Sequence, residues 1–261
     1  MQKKKGKVYL VGAGPGDPGL LTVKGKELLK AAEVVIYDAL VKPDILKWAK
    51  AGNLKIRARE RRKFSSLQGR GRREKEQNVI NRLMLKYARK GKTVVRLKGG
   101  DPFLFGRGGE ECEHLVRSGI PFEVVPGVSS VTAVPAYAGI PVTDRRHTSM
   151  LTIITGHFGN GSFQGPGVDW KKISPSGTLV ILMGMENFNR IARRLKTEGW
   201  PGGTPAAIIS WGTLPNQRVV MGTLSSMSEK LKRAKPPFTP PAVIVIGNVV
   251  RLRRKVDWFN V

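Results

Sequence analysis

Four short apolar runs in the first half of the chain, at 8–12, 33–37, 93–97 and 122–125, alternate with spans of helical spacing such as 20–31 and 77–89. Alternation of this kind points to parallel strands, because a parallel pair cannot be closed by a hairpin and needs a crossover helix. The fold class read from it is α/β, and 261 residues allow one large domain or two smaller ones. Around 126–147 the rhythm breaks, as PGVSSVTAVPAYAGIPVTDRRH brings three prolines and many small residues. Three parts are therefore expected: an N-terminal α/β domain with a parallel sheet over 1–125, an inter-domain segment over 126–147, and a C-terminal α/β domain over 148–261. In the last part, 151–156, 178–184, 206–212, 217–224 and 242–247 read as strands, and 186–198 and 225–234 as helices. Only a hairpin-length turn separates 206–212 from 217–224, which makes that pair antiparallel and this sheet mixed.

The first strand runs into VYLVGAGPGDPGLLT, residues 8–22. Gly14, Gly16 and Gly19 match the G-x-G-x-x-G spacing of a dinucleotide fingerprint, and Asp38 follows about twenty residues on, ending the second strand. Pro15 and Pro18 count against that reading, since each removes a backbone N–H that a pyrophosphate would need. A tight strand-to-helix turn explains the glycines as well, through positive φ or close backbone approach. Thr22 is the expected N-cap of the helix that follows. Leu20, Leu21, Val23, Leu28 and Leu29 are expected to face the sheet. A second glycine turn, RLKGGDPFLFGRGGEE at 96–111, follows the strand TVVRL and lacks the G-K-[ST] ending of a phosphate-binding loop. Two Gly-Asp-Pro turns at strand ends suggest backbone approaching a ligand on one sheet edge.

The formal charge is +27, from 46 basic and 19 acidic residues. Such a surplus suits a polyanion: a nucleic acid, an anionic membrane, or a small molecule with many carboxylates or phosphates. It equally suits lysines and arginines spread over solvated faces. The densest stretch, KIRARERRKFSSLQGRGRREK at 55–75, predicts a mobile positive loop. GHFGNGSFQGPG at 156–167 reads as a lid or a surface excursion. No apolar run reaches membrane-spanning length, so a soluble chain is expected. The basic start lacks the uninterrupted apolar run and cleavage site of a signal peptide, and the expected location is the cytoplasm. One cysteine and three scattered histidines form no ligand cluster, so no metal is expected; Cys112 and His114 read as ordinary helix residues.

GAGPGDPGLLT, VVIYDALV, VVRLKGGDPFLFGRGGEE and PFEVVPGVSSVTAVPAYAGIPVT together resemble the uroporphyrinogen-III C-methyltransferases of the tetrapyrrole methylase superfamily. TLVILMGMENF, ISWGTLPNQRVVMGTL and the ending RLRRKVDWFN extend the resemblance over nearly the whole chain. It implies two α/β domains with S-adenosylmethionine in the cleft between them, a homodimer, and conversion of uroporphyrinogen III to precorrin-2 by methylation at C2 and C7. That step opens siroheme and cobalamin synthesis, and S-adenosylhomocysteine is the other product. By resemblance, Pro15 lies beside the donor, and Gly99, Gly100 and Asp101 meet its methionine part with Leu104 as an apolar contact. Ser129 and Ser130 take the place of a Thr-Ala pair, while Met183, Gly212 and Ala242 match donor contacts of the second domain.

Asp38 matches the family's proton acceptor. The family also carries a Gly-Lys-Arg whose lysine is the proton donor, whereas this chain reads ARERRK at 58–63 with a longer loop before QNVIN. Glu60, an arginine or Lys63 falls near that place, and the role stays unassigned. The substrate is a compact polycarboxylate, so Arg107 and arginines of 57–73 are candidates for its acetate and propionate arms. A related RNA methylase suits the charge, but its motifs differ from RLKGGDPFLFGRGG. A non-catalytic nucleic-acid module is disfavoured by the lone aromatic, Phe64, in the basic loop. A dehydrogenase is the remaining alternative.

Overall fold

The computed structural model describes residues 6–58, 70–156 and 168–259. Glu60, Lys63, Phe64, His157 and nearly all of the 156–167 loop lie outside them. The chain divides into two compact units, Met1–Ser129 and Ser130–Val261, with the division inside the 126–147 segment.

The first unit runs β1 (Val8–Gly12), α1 (Val23–Ala31), β2 (Val34–Tyr37), α2 (Pro43–Leu46), β3 (Leu54–Arg57), α3 (Arg70–Arg89), β4 (Val94–Lys98), α4 (Gly108–Arg117) and β5 (Phe122–Val125). Its five strands form one sheet in the order β3-β2-β4-β1-β5, and every neighbouring pair is parallel. Helices cover both faces, which is why the strands read as continuous apolar runs. Ile80 and Met84 of α3 and Leu115 of α4 pack on Val8, Leu10, Ile36 and Val94. Leu29 and Ile45, from α1 and α2, pack on Val11, Val35, Val95 and Leu97 on the other side.

Two local expectations fail here. The stretch 55–75 is not one loop, since its start belongs to β3 and its end to α3. As an edge strand beside β2, β3 keeps Lys55 and Arg57 in solvent, so its charges cost little. Val23 does not face the sheet; it is the first residue of α1 and 79% exposed. Thr22 caps α1 by accepting from the Gly25 N–H at 3.1 Å, and Gly25 and Leu29 form its buried stripe.

The second unit runs α5 (Ser130–Tyr137), β6 (Leu151–Thr155), β7 (Thr178–Leu182), α6 (Phe188–Thr197), β8 (Pro205–Ser210), β9 (Arg218–Thr223), α7 (Met227–Arg233), β10 (Ala242–Ile246) and α8 (Arg253–Val256). The sheet order is β6-β7-β10-β8-β9, with β6 and β7 parallel and the other pairs antiparallel. Trp170, Phe188, Ile191, Leu195 and Trp200 fill its core against Ile181, Ile208 and Ile244. The end of the chain is pinned to α5: Trp258 Nε1 donates to Ala136 O at 2.9 Å, and its ring meets Tyr137 edge-on at 5.1 Å.

Candidate active site

In a parallel sheet all carboxyl ends lie on one edge, and in the first unit that edge is built from glycine backbone. Gly14 and Gly100 exchange hydrogen bonds, Gly100 N–H to Gly14 O at 2.8 Å and Gly14 N–H to Gly100 O at 3.3 Å. A Cβ on Gly127 would lie 2.4 Å from Gly100 O. The turns after β1, β4 and β5 are thus packed backbone against backbone, and Gly14 and Gly100 have φ of +76° and +64°. This is the task of the first glycines. Pro18 opens a short 3-10 turn capped by Asp17, whose Oδ1 accepts from Gly19 N–H at 2.7 Å, and α1 begins only at Val23. No helix N-terminus is aimed at a phosphate from the glycine turn itself.

Gly99 and Gly100 face the other way. A Cβ on Gly100 would meet nothing within 4 Å, and one on Gly99 only the Leu40 Cβ at 3.7 Å. Their backbone therefore borders open space with Leu40 as an apolar neighbour. Asp101 ties the turn down: Oδ1 accepts from Phe103 N–H at 2.8 Å and Oδ2 from Gly127 N–H at 3.0 Å. Leu104 is half-buried after it, and Pro15 half-buried in the first turn. Ser129 is half-buried at the end of this unit.

Asp38 directly follows β2, where Tyr37 pairs with Leu97, and its N–H donates to Leu97 O at 3.1 Å. That register places it beside the Gly99 turn. Its carboxyl is 30% exposed and takes a 2.6 Å bond from Arg96 Nη2. Behind it lies a cluster that the sequence analysis did not single out. Arg96 and Lys98, both 2% exposed, sit on the α3/α4 side of β4. Glu111 of α4, fully buried, accepts at Oε1 from Arg96 Nε at 3.2 Å, Lys98 Nζ at 3.0 Å and Gln77 Nε2 at 2.9 Å. Burial alone would weaken the proton affinity of Arg96, but Asp38 and Glu111 outweigh it and raise its pKa. For Lys98, burial and then the charge of Arg96 prevail over Glu111, and its pKa is lowered. The signal was available in VVRLK: period two puts Arg96 and Lys98 on one face of a central strand, where each needs a counter-charge.

Arg107 stands in the left-handed region at φ +60° as the residue before α4. Its guanidinium already holds Glu110, Nε to Oε1 at 2.9 Å and Nη2 to Oε2 at 2.5 Å. That hydrogen bond, the largest influence, lowers the Glu110 pKa.

The second unit has an edge of its own. Leu182 pairs with Val243 and Ser210 with Ala242, so Met183, Gly212 and Ala242 cluster at the carboxyl ends of β7 and β8. Met183, Trp211 and Thr213 all have positive φ, at +55°, +54° and +67°. Strained non-glycine backbone concentrated at strand ends is a mark of ligand sites, and sequence carried no sign of it. Met183 is 52% exposed. A Cβ on Gly212 would lie 2.4 Å from Val134 Cγ1 of α5. Ser130, half-buried, opens α5.

A family model described as Tetrapyrrole (Corrin/Porphyrin) Methylases matches residues 7–228. Uroporphyrinogen-III C-methyltransferase of Bacillus subtilis (strain 168) is 47% identical, over 98% of this chain and 95% of its own. A siroheme synthase of Nitrosomonas europaea is 44% identical over 98% of this chain, which spans only 51% of that protein. The structure of uroporphyrin-III C-methyl transferase from Thermus thermophilus complexed with S-adenyl homocysteine superposes with TM-score 0.76 and 38% identity. It covers 95% of this chain and 100% of its own.

Proposed function

The chain belongs to the tetrapyrrole methylases, and we propose that it transfers methyl groups from S-adenosylmethionine to C2 and C7 of uroporphyrinogen III, giving precorrin-2. The observation that carries this reading is the Gly99-Gly100-Asp101 turn beside Asp38 on one sheet edge. A sulfonium donor with a neutral adenine suits carbonyl oxygens, a carboxylate and apolar walls without nearby free ammonium groups. The turn offers open glycine backbone, Asp101, and Leu40 and Leu104, while the Lys98 ammonium is turned under α4 onto Glu111.

When bound, the donor supplies an electrophilic methyl group. The protein's part is to hold a nucleophilic ring carbon in line with it, and positioning of this kind contributes most of the acceleration. Asp38, anchored by Arg96, takes the proton that the macrocycle loses to neutralise the cation formed when the methylated ring carbon becomes quaternary. Arg107 engages a carboxylate arm of the substrate by sharing its guanidinium with Glu110. Gly99, Gly100, Asp101, Leu104, Pro15 and Ser129 are assigned to the donor in the first unit. Ser130, Met183, Gly212 and Ala242 are assigned to it in the second, on their shared edge and its strained backbone.

A homodimer and a cytoplasmic location complete the reading, and among the described residues no helix is long and apolar enough to cross a membrane. Titration calorimetry with S-adenosylhomocysteine tests the donor site: saturable binding supports it, and no heat at any concentration removes it. Sedimentation of the purified protein tests the dimer.

A further inference from the structure

Glu111 is costly to keep. Its carboxyl is fully buried, three donors converge on Oε1, and Oε2 is buried with no hydrogen-bond partner among the described residues. A buried oxygen left in this state is destabilising, and a buried ion cluster is weak evidence for stability in any case. The geometry shows what the arrangement does achieve. Arg96 divides its fork three ways, with Nε on Glu111, Nη2 on Asp38 and Nη1 on Leu97 O at 3.3 Å. Leu97 O and Asp38 hold the two Nη ends, and Glu111 holds the Nε edge with a full counter-charge. Lys98 and Arg96 are two buried cations, and Glu111 with Asp38 are the two carboxylates that balance them.

We infer that Glu111 is a positioning residue: it anchors the Nε edge of Arg96 and balances the Arg96–Lys98 charge, and through Arg96 it sets the place of the Asp38 carboxylate beside the Gly99 turn. This rests on the assignment of Asp38 made above. If the Glu111 charge is removed, Arg96 and Lys98 are left with Asp38 as their only balancing carboxylate in the cluster. The Asp38 carboxylate is then drawn away from the open edge. Burial and the charge of Arg96 lower the proton affinity of Lys98, and Glu111, its direct partner, offsets them more than Asp38 does.

The test compares Glu111→Gln, Lys98→Met, the double variant and Asp38→Asn in steady-state methylation of uroporphyrinogen III, with calorimetry of S-adenosylhomocysteine. Displacing a catalytic group by about an ångström costs on the order of 10²-fold in kcat. E111Q is expected to lose kcat on that order while KM and donor affinity stay at wild-type values. Adding K98M is expected to recover part of the loss, because one cation again faces one carboxylate, and coupled sites are not additive. Should E111Q fail to fold, Arg96→Lys reads the same link, since one ammonium cannot span both carboxylates. Wild-type kcat in E111Q, or in R96K, with D38N inactive overturns the inference alone. Loss of donor affinity in step with kcat, without recovery in the double variant, assigns Glu111 a purely structural role and also overturns it. An active D38N overturns the Asp38 assignment and this inference with it.

Discussion

Gly12 and Gly127 lie backbone against backbone: a Cβ on Gly12 would sit 2.5 Å from the Gly127 Cα, and one on Gly127 2.7 Å from the Gly12 Cα. Neither neighbour is a flexible side chain, so a methyl group must push two turns apart. G127A is expected to destabilise the protein by about 1–3 kcal/mol, the usual cost of overpacking. Urea unfolding followed by circular dichroism measures it; an unchanged midpoint contradicts the packing.

Gly99 makes the opposite case. Its Cβ position is open apart from Leu40 Cβ at 3.7 Å, so G99A is expected to fold normally and to bind S-adenosylhomocysteine more weakly. A wild-type affinity in calorimetry would show that this backbone face does not meet the donor.

Asp38 is expected to act after binding. D38N should keep donor affinity and lose on the order of 10²–10⁴-fold in kcat, the range for removal of a general base. Single-turnover kinetics with preformed donor complex separate the two effects.

Arg107 holds Glu110 through two bonds, a geometry that lysine cannot reproduce. R107K is expected to raise KM for uroporphyrinogen III by about tenfold or more, since a charged hydrogen bond contributes about 1.5–3 kcal/mol. An unchanged KM would remove Arg107 from the substrate site.

Glu123 on β5 pairs with Lys24 and with Lys7, and these bonds take its pKa from 4.5 to about 2. A folded-state pKa below the unfolded one stabilises above the unfolded value and is lost as pH falls through the folded value. Thermal melts between pH 5 and pH 2 are therefore expected to show wild type losing more stability than E123Q. Parallel curves for the two proteins would show that the pairs contribute nothing.

The frame of this fold was legible because its strands are buried on both faces and its turns are rich in glycine and proline. β1 and β5 fall at 8–12 and 122–125, as periodicity indicates, and the antiparallel β8/β9 pair follows from its short turn. β3 was hidden by composition: an edge strand can carry Lys55 and Arg57 into solvent, and its basic sequence looks like loop. Val23 was misplaced because the helix starts three residues later than its apolar pattern. Spacing showed Asp38 and the Gly99 turn only as strand ends, and the family resemblance supplied their expected roles; that β2 and β4 are neighbours, which brings them together, is a property of strand order. The Arg96–Lys98–Glu111 cluster joins residues across a crossover, so its partners could not be paired from spacing. The positive φ of Met183, Trp211 and Thr213 has no sequence signature, because none of these residues favours that region.

The most direct test of the central claim is mass spectrometry of the tetrapyrrole formed when the purified protein is given uroporphyrinogen III and methyl-labelled S-adenosylmethionine under anaerobic conditions. The account predicts a product carrying two labelled methyl groups on ring carbons, with S-adenosylhomocysteine formed in step. Recovery of unlabelled uroporphyrinogen III from protein that binds S-adenosylhomocysteine would contradict it.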